Sequence, residues 1–348
     1  MVRTEDERDD EATGQEPPAV ATDHPNLEWL HVARPLADDG FAEEVRRGLS
    51  KSQKSLPCRF LYDEIGSSLF EQICEVPEYY VTRAERSILQ EHSEAIIEML
   101  PNDTALVELG SGSAEKTQLL LEAFLAKQDE VVFLPIDISR SALEASARQL
   151  LADHPSLSIV AVEGDYARGL EAISPRDHGP RLILWLGSSI GNLGRDEAAH
   201  FLSELRNDLS PEDRLLVGID LRKDRETLEK AYDDSEGVTA RFNLNLLDRI
   251  NRELGGSFDT ELFEHRATWQ ETPGRVKSDL VSLQAQTVKI VELDLVVEFD
   301  EGEAIHTEYS YKYSTDEIDS LAGEALLSRE RTWLDAEGRF SVSLFAGC

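Results

Sequence analysis

The sequence predicts an α/β fold in which a mostly parallel, doubly wound sheet carries helices on both faces. From residue 105 onward, short apolar runs recur about every 25 residues, and stretches of helical periodicity lie between them. Strands that alternate with helices form βαβ units, which place the strands parallel and cover both faces of the sheet. This spacing is typical of a Rossmann-like sheet.

The individual elements of this sheet follow from the same pattern. The predicted parallel strands are 105–109, 131–136, 157–162, 182–186 and 215–219. Helical periodicity predicts helices over 83–99, 115–126 and 140–153. Near the C-terminus, the runs 329–334 and 340–345 flank Asp335-Ala336-Glu337-Gly338, which predicts a hairpin that adds an antiparallel edge.

The rhythm changes after Asp220 and predicts a second α+β unit. Residues 222–254 have helical periodicity, whereas 277–290, 292–299 and 305–313 alternate like strands. We therefore expect two domains, each built from two pieces of chain: 85–221 with 313–348 for the sheet, and 26–84 with 222–312 for the second unit. Residues 1–25 hold eight acids and three prolines, which predicts a disordered acidic tail.

The composition argues about partners and compartment. With 69 acidic and 35 basic residues, the formal net charge is −34, which repels phosphate backbones and anionic lipid. This charge leads us to expect no nucleic-acid or membrane partner, and no run approaches the ~20 apolar residues of a membrane span. The first residues lack the pattern of a signal peptide, so we expect a cytoplasmic protein. We also expect a monomer.

Two further features of the composition concern salt and metals. The basic residues are 26 Arg and only 9 Lys. From the acid excess and the scarcity of Lys we form the hypothesis that the protein is adapted to a cytoplasm of high salt concentration. Cys58, Cys74 and Cys348 are too scattered for a disulfide framework, and the histidines form no metal-ligand pair. We expect no metal site.

The segment Gly110-Ser111-Gly112 stands between the first predicted strand and a helix. Its glycines allow a tight turn and a close approach of backbone to ligand, and the amides of a helix start favour a carboxylate or phosphate. A dinucleotide fingerprint requires Gly or Ala where Glu115 stands, which disfavours a nicotinamide dehydrogenase. The pattern Glu108-x-Gly-x-Gly is typical of an S-adenosylmethionine loop, and a turn without a ligand is the alternative.

Carboxylates follow the next two predicted strands. Asp137 is placed to accept the hydroxyls of a ribose, and Asp165 with Tyr166 is placed to meet an adenine. Each acid has an alternative role as a helix N-cap. The fourth strand ends in Gly187 and Asn192, polar groups beside the place of an acceptor substrate; Asn192 as an N-cap is again the alternative.

A set of motifs runs from about residue 40 to the C-terminus and includes Lys54-Ser-Leu-Pro57, Phe60-Leu-Tyr62-Asp63, Pro77-Glu-Tyr79-Tyr80-Val-Thr-Arg83, Leu106-Val-Glu-Leu-Gly110-Ser-Gly112, Glu115-Lys116-Thr117, Leu186-Gly-Ser-Ser-Ile-Gly-Asn192, Ala231-Tyr232-Asp-Asp234, Gly237-Val-Thr239 and Thr307-Glu308-Tyr-Ser310. Taken together, these motifs resemble one family, the histidine-specific methyltransferases of ergothioneine biosynthesis. The resemblance implies trimethylation of the α-amine of L-histidine to hercynine, with S-adenosylmethionine as methyl donor and no metal. It also implies that the sheet domain binds the donor and the second domain binds the substrate.

The resemblance assigns roles to individual residues. It places the methyl donor on Tyr79, Gly110, Lys116, Asp137, Asp165 and Tyr166, with Ser111 and Gly112 in the same loop. It places the substrate carboxylate on Asn192 and Tyr232, the amine near Tyr62, the imidazole on Glu308 and Ser310, and the pocket lining on Phe70, Gly187 and Thr239. Tyr62 and Asn192 are thus the candidate catalytic residues.

Ser278 departs from the family pattern, in which histidine-specific members commonly carry Met. Loss of a thioether packed on the imidazole ring widens the pocket or admits a water. An α-N-methyltransferase for another amino acid is therefore an alternative, with Ser278 in its substrate site. A non-catalytic module that binds S-adenosylmethionine is the alternative from another class.

Overall fold

The computed structural model describes residues 24–32, 40–174 and 179–348. Nearly all of the predicted acidic tail, residues 1–23, lies outside the described residues. The described strands are β1 (Leu27–His31), β2 (Ala105–Leu109), β3 (Val131–Asp137), β4 (Leu157–Glu163), β5 (Arg181–Trp185), β6 (Arg214–Asp220), β7 (Phe263–Gln270), β8 (Arg275–Ser282), β9 (Gln286–Ile290), β10 (Leu295–Phe299), β11 (Ala304–Tyr311), β12 (Leu327–Leu334) and β13 (Phe340–Gly347).

Helices surround these strands. They are α1 (Phe41–Leu49), α2 (Glu64–Glu75), α3 (Tyr80–Glu98), α4 (Glu115–Lys127), α5 (Arg140–Asp153), α6 (Tyr166–Ile173), α7 (Arg195–Asn207), α8 (Arg225–Tyr232), α9 (Val238–Leu254) and α10 (Thr315–Glu324). Short 3₁₀ turns cover Cys58–Leu61, Ser189–Asn192, Thr260–Leu262 and Val291–Leu293. None of the described helices combines the length and apolar character needed to cross a bilayer.

The central sheet has eight strands in the order β1-β4-β3-β2-β5-β6-β13-β12. The first six are parallel, β13 runs antiparallel to β6, and β12 runs antiparallel to β13. The predicted parallel α/β sheet with a C-terminal antiparallel hairpin is confirmed. The strand order reverses between β2 and β5, and ligands of such sheets bind beyond the carboxyl ends of the strands at this point.

Continuous apolar sequence explains why the inner strands form. Every residue of β2 is buried, because helices cover both faces of the sheet. One face packs under helices that include α3 and α4, through residues such as Ile88 and Leu121. The other face packs under α7 and α10, through residues such as Leu202 and Ile318. Burial on both faces fixes the position of each strand end at the reversal point.

The edge strand β1 is a finding that the sequence pattern did not predict. It pairs in parallel with β4, with Leu27 opposite Ile159 and Leu30 opposite Val162. The predicted division placed residue 26 onward in the second domain, so for this strand the assignment is corrected. A five-residue strand with Glu28 near its centre has too little apolar periodicity to stand out. The rest of the domain division stays a prediction.

A second group of strands and helices lies after the sixth sheet strand. Strands β11, β8 and β7 form an antiparallel sheet in that order, and β9 pairs with β10. The segment 41–75 packs here as well: the backbone amide of Leu56 donates to the His306 carbonyl, and Asn245 on α9 donates to Asp63 at the start of α2. Strand β7 was not predicted, because the buried positions between Phe263 and Trp269 hold His265 and Ala267 rather than large apolar residues.

Candidate active site

The loop after β2 has the backbone geometry that glycine permits. Gly110 and Gly112 have positive φ angles of 73° and 50°. A Cβ on Gly110 would lie 2.8 Å from the Tyr166 hydroxyl oxygen, so the loop and this side chain meet closely. The buried Ser111 hydroxyl has no hydrogen-bond partner among the described residues. The loop therefore presents a polar group and open backbone at the reversal point of the sheet.

Asp137, at the end of β3, is joined to this loop. Its Oδ2 accepts a hydrogen bond from the Gly112 amide at 2.9 Å, and its Oδ1 accepts one from the Ser139 amide at 2.8 Å. Burial raises the pKa of this carboxyl, while the amide donors act in the opposite direction. A carboxylate has about four acceptor positions, so Asp137 is held in place with acceptor capacity left for a ligand.

Asp165 and Tyr166 follow β4 and have different environments. Asp165 caps α6 by accepting from the Arg168 amide at 3.0 Å, so the N-cap alternative is realised for this residue. The Tyr166 ring packs edge-on against Trp185, with 6.3 Å between ring centroids. Burial raises the pKa of Tyr166 far above its usual range, which keeps the phenol protonated beside the Gly110 loop.

Lys116 pairs with Glu85 on α3, a residue that was not predicted to belong to the site. The Glu85 carboxylate is completely buried, forms an ion pair with Lys116, and accepts from the Gly187 amide at 2.9 Å. It thus joins the helix after the glycine loop to the loop after β5. An acid one turn before the buried Ile88, on the apolar face of a helix, was the available signal.

Glu108, the acid of the Glu-x-Gly-x-Gly pattern, lies inside β2 below the loop. Both of its oxygens lie 2.7 Å from the Thr117 hydroxyl oxygen, which donates to the carboxylate. Burial raises the pKa of Glu108 to about 8. This contact ties the strand to the helix on the other side of the glycine turn.

Aromatic side chains from distant parts of the chain form one cluster. Tyr62 makes edge contacts with Phe70 and Phe242, at centroid distances of 5.4 and 5.3 Å. Tyr79 contacts Phe70 at 6.4 Å and Tyr232 at 6.1 Å. The structure therefore brings together the predicted Tyr62, Phe70, Tyr79 and Tyr232, and it adds Phe242, which belongs to a motif of the family resemblance but was assigned no role in the site.

Polar groups continue from this cluster onto β11. The Tyr232 and Ser310 hydroxyl oxygens lie 2.8 Å apart. Glu308 shares the face of Ser310 two residues earlier, and burial raises the pKa of its carboxyl to about 7, with Lys312 acting against this. The pKa of Tyr62 is raised by its burial and by the charge of Glu308. An acid and a hydroxyl pair thus border the aromatic cluster.

The remaining predicted residues lie around the same region. Ser278 is buried on β8 opposite Glu308, and Thr239 is buried at the start of α9 with a hydroxyl that has no partner in the described chain. Asn192 ends a 3₁₀ turn that packs against β11, where a Cβ on Gly191 would lie 2.7 Å from the Tyr311 carbonyl oxygen. The turn can approach the strand this closely because residue 191 is glycine.

This arrangement offers two adjoining sets of groups, a glycine loop with a fixed carboxylate and an aromatic wall that ends in Glu308 and Ser310. Within residues 24–32, 40–174 and 179–348, no group of three or more His, Cys, Asp and Glu side chains has the geometry to hold a metal ion. The groups present are those that bind a nucleoside-bearing ligand beside a small polar molecule.

Comparison with known proteins gives consistent results. The family model of the SAM-dependent, histidine-specific methyltransferases matches residues 41–347. The chain is 43% identical over 319 residues to a histidine N-alpha-methyltransferase of Mycolicibacterium smegmatis, covering 90% of this chain and 98% of that protein. It is 43% identical over 321 residues to the protein of that name from Mycobacterium tuberculosis, covering 91% and 99%. It is 31% identical over 287 residues to ergothioneine biosynthesis protein 1 of Schizosaccharomyces pombe, covering 79% of this chain and 36% of that protein.

Proposed function

We propose, from the premise that this chain belongs to the family of histidine-specific, S-adenosylmethionine-dependent methyltransferases, that it transfers three methyl groups to the α-amine of L-histidine. The product is hercynine, and the reaction is the first step of ergothioneine biosynthesis. One observation carries the proposal: the Gly110 loop with its bound Asp137 carboxylate lies at the reversal point of the sheet, and an aromatic wall leads to Glu308 and Ser310.

The donor occupies the loop side of this site. The remaining acceptor capacity of Asp137 serves the ribose hydroxyls, and the amides of the loop face the methionine carboxylate. Lys116 and Tyr79 complete the wall, while Asp165 and Tyr166 meet the adenine. S-adenosylmethionine supplies an activated methyl group when bound, so this chain needs neither a metal nor a covalent nucleophile.

The substrate occupies the aromatic side. A carboxylate and a hydroxyl on one strand face, Glu308 and Ser310, accept from one imidazole nitrogen and donate to the other. A phenyl or indole ring leaves at least one of these two polar groups unpaired, which selects against it. Asn192 and Tyr232 hold the substrate carboxylate, and the pocket is lined by Phe70, Gly187 and Thr239.

Methyl transfer requires an uncharged amine about 3 Å from the methyl carbon and in line with the leaving sulfur. Tyr62 positions this amine through its hydroxyl. Because burial and Glu308 raise the pKa of Tyr62, its phenol stays neutral and does not serve as a strong base; the amine proton leaves to solvent. The rings of Tyr62 and Phe70 stabilise the growing cation by cation–π attraction.

The deciding experiment is mass spectrometry of the products from each of the twenty amino acids with S-adenosylmethionine. We expect histidine to gain three methyl groups and the other amino acids to react far more slowly. Transfer to none of them, with the donor still bound in a calorimeter, would identify a non-catalytic binding module.

A second candidate, an α-N-methyltransferase for a different amino acid, is supported by Ser278, which is 1% exposed and lies opposite Glu308. The Ser278→Met variant separates the two proposals. If histidine is the substrate, the thioether fills space beside the ring and lowers the KM for histidine. If another side chain occupies that space, Met excludes it and the KM for that amino acid rises.

We also propose a cytoplasmic monomer that binds neither nucleic acid nor membranes and needs no metal. The strongly acidic composition and the chemistry of the donor support this. Activity that is unchanged by a chelator, together with a monomer mass by light scattering, is the expected result.

A further inference from the structure

Lys312, just after β11, is a fully buried cation with no part in the donor and substrate contacts proposed so far. Its ammonium nitrogen lies 2.7 Å from Asp220 Oδ2, 2.7 Å from the Tyr232 hydroxyl and 2.9 Å from the Ser310 hydroxyl. These three contacts use all three of its N–H donors. Although burial alone lowers the pKa of Lys312, the charge of Asp220 raises it above the usual value, so the ammonium persists.

The three contacts decide where the hydroxyl protons point. Tyr232 and Ser310 each accept from Lys312, so neither can donate to it. The two hydroxyls are 2.8 Å apart, and one donates to the other. One O–H is then left over, and within the described chain neither hydroxyl has a further partner. This O–H points away from Lys312 and needs an acceptor.

A second lysine, Lys223, binds the same Asp220 carboxylate but makes different further contacts from Lys312. Lys223 also binds Asp220, at 2.6 Å, and donates to the Tyr80 hydroxyl at 2.6 Å, whereas the hydrogen bonds to Tyr232 and Ser310 come from Lys312. Asp220 therefore has two cationic partners, and among the described residues Lys312 is the one that donates to the hydroxyl pair. Burial and the charge of Lys312 lower the pKa of Lys223 to about 8, so the persistent positive charge beside the pair is that of Lys312, and it attracts an anionic ligand group.

We propose that Lys312 is a positioning residue that keeps the hydroxyl protons of Tyr232 and Ser310 directed away from itself, and that its charge attracts the substrate carboxylate. The amino-acid substrate then replaces the hydrogen bond between the two hydroxyls, so that Tyr232 donates to the carboxylate and Ser310 to the imidazole. This inference rests on the proposed function, since it takes the ligand to be an amino acid. It explains how a carboxylate is bound by a neutral hydroxyl and an amide: the cation acts one hydrogen bond behind the hydroxyl. Loss of Lys312 frees both hydroxyls to turn away from the substrate.

The test compares Lys312→Met with Lys223→Met. Each variant removes one of the two lysine ammonium groups that bind Asp220. We expect Lys312→Met to raise the KM for histidine about tenfold or more, because a charge-assisted contact is lost. The Kd for S-adenosylhomocysteine, measured by calorimetry, stays within about twofold. Lys223→Met leaves both quantities within about twofold. If Lys312→Met does not fold, the double variant Lys312→Met with Asp220→Asn replaces it, with the same expected KM.

The possible results separate the positioning role from the reaction itself. Equal rises of the histidine KM in the two lysine variants, or a KM that is unchanged in Lys312→Met, overturn the positioning role while the methyltransferase assignment stands. Wild-type protein that methylates no amino acid overturns the proposed function, and the role of Lys312 with it. Because the wild-type control reports separately, the two failures are distinguishable.

Discussion

Two carboxyl groups near the site, Glu108 on β2 and Glu308 on β11, show how single residues serve a site at the expense of stability. Burial raises the pKa values of Glu108 and Glu308 to about 8 and about 7, so their ionised forms are disfavoured in the folded chain. Glu303, immediately before β11, behaves oppositely: although burial alone raises its pKa, Lys54 lowers it below the usual value. Ionisation of Glu308 therefore lowers the free energy of unfolding as the pH rises, whereas ionisation of Glu303 increases it.

Glu308→Gln tests this at one residue. A folded-state pKa above the unfolded value gives stability that is present below about pH 4.5 and lost as the pH rises through about 7. The glutamine of the variant does not ionise and therefore does not lose stability in this way. We expect the free energy of unfolding of the variant at pH 8 to exceed the wild-type value by about 1 to 2 kcal/mol. At pH 4.5 the difference disappears, and at all pH values the histidine KM rises. Glu303→Gln is the control and loses stability at pH 8. Equal stability of Glu308→Gln and wild type at pH 8 contradicts the prediction.

Glu85→Gln tests the buried bridge between the donor and substrate loops. The amide keeps an acceptor for the Gly187 N–H but leaves Lys116 without its counter-charge. We expect weaker binding of S-adenosylhomocysteine and a higher histidine KM, each by about tenfold. Arg86→Gln, which removes an exposed ion pair with Glu115, is the matched control and changes neither noticeably. A change in only one of the two constants excludes the bridging role.

At the level of elements, the sequence predicts what depends on local pattern. The five predicted parallel strands, β2 to β6, lie within one residue of their predicted ends, because continuous apolar runs buried on both faces leave a strong signal. The glycine turn and Asp137 are predictable for the same reason, since strand ends place them together. Strand β1 escapes prediction because it has only five residues and no regular apolar alternation, and β7 because its central buried positions are His265 and Ala267.

The unpredicted parts of the site depend on contacts between distant residues. Glu85 meets Gly187 across 102 positions, and Lys312 meets Tyr232 across 80. No periodicity reports such a pairing, and a buried charge on a helix or strand face indicates only that some partner exists. The residues found through family resemblance are brought together by the fold, but their individual roles stay predictions.

Gly218, in the middle of β6, lacks a side chain where the Glu85 side chain of α3 packs against the strand. A Cβ at this position would lie 1.9 Å from Glu85 Oε1 and 3.2 Å from the Phe340 ring. We expect Gly218→Ala to lower the free energy of unfolding by about 1 to 3 kcal/mol or more, because a buried strand and a buried acid must move. Gly323→Ala on α10, where nothing lies within 4 Å, is expected to be neutral or stabilising by up to about 1 kcal/mol. Chemical denaturation measures both, and equal effects argue against close packing at residue 218.

For the whole molecule, the net charge of −34 dominates the response to solvent. Acidic residues outnumber basic ones about twofold, so pairing with Lys and Arg leaves many carboxylates that repel one another. Self-repulsion weakens the folded state most where few ions screen it, because the screening length falls from about 10 Å at 0.1 M salt to about 3 Å at 1 M.

The unfolding temperature should therefore rise with potassium chloride. Between about 0.1 and 1 M we expect an increase of several degrees, since screening reduces repulsion more in the compact state than in the unfolded chain. Sucrose at equal osmolality is the control for general exclusion effects and should give a smaller rise. Identical curves in the two solutes would show that charge repulsion is not the limiting factor.

The separation in sequence of the groups that meet at Tyr62, Gly187, Tyr232 and Ser310 has a practical consequence. A partly refolded chain, with the glycine turn formed but the strand after residue 304 still unpaired, holds only half of the groups needed for turnover. Catalysis therefore returns only when the slowest long-range pairing is complete. The recovery of methyl transfer after dilution from denaturant can therefore time the last step of folding. The recovery of the far-UV circular dichroism of the helices reports the earlier steps.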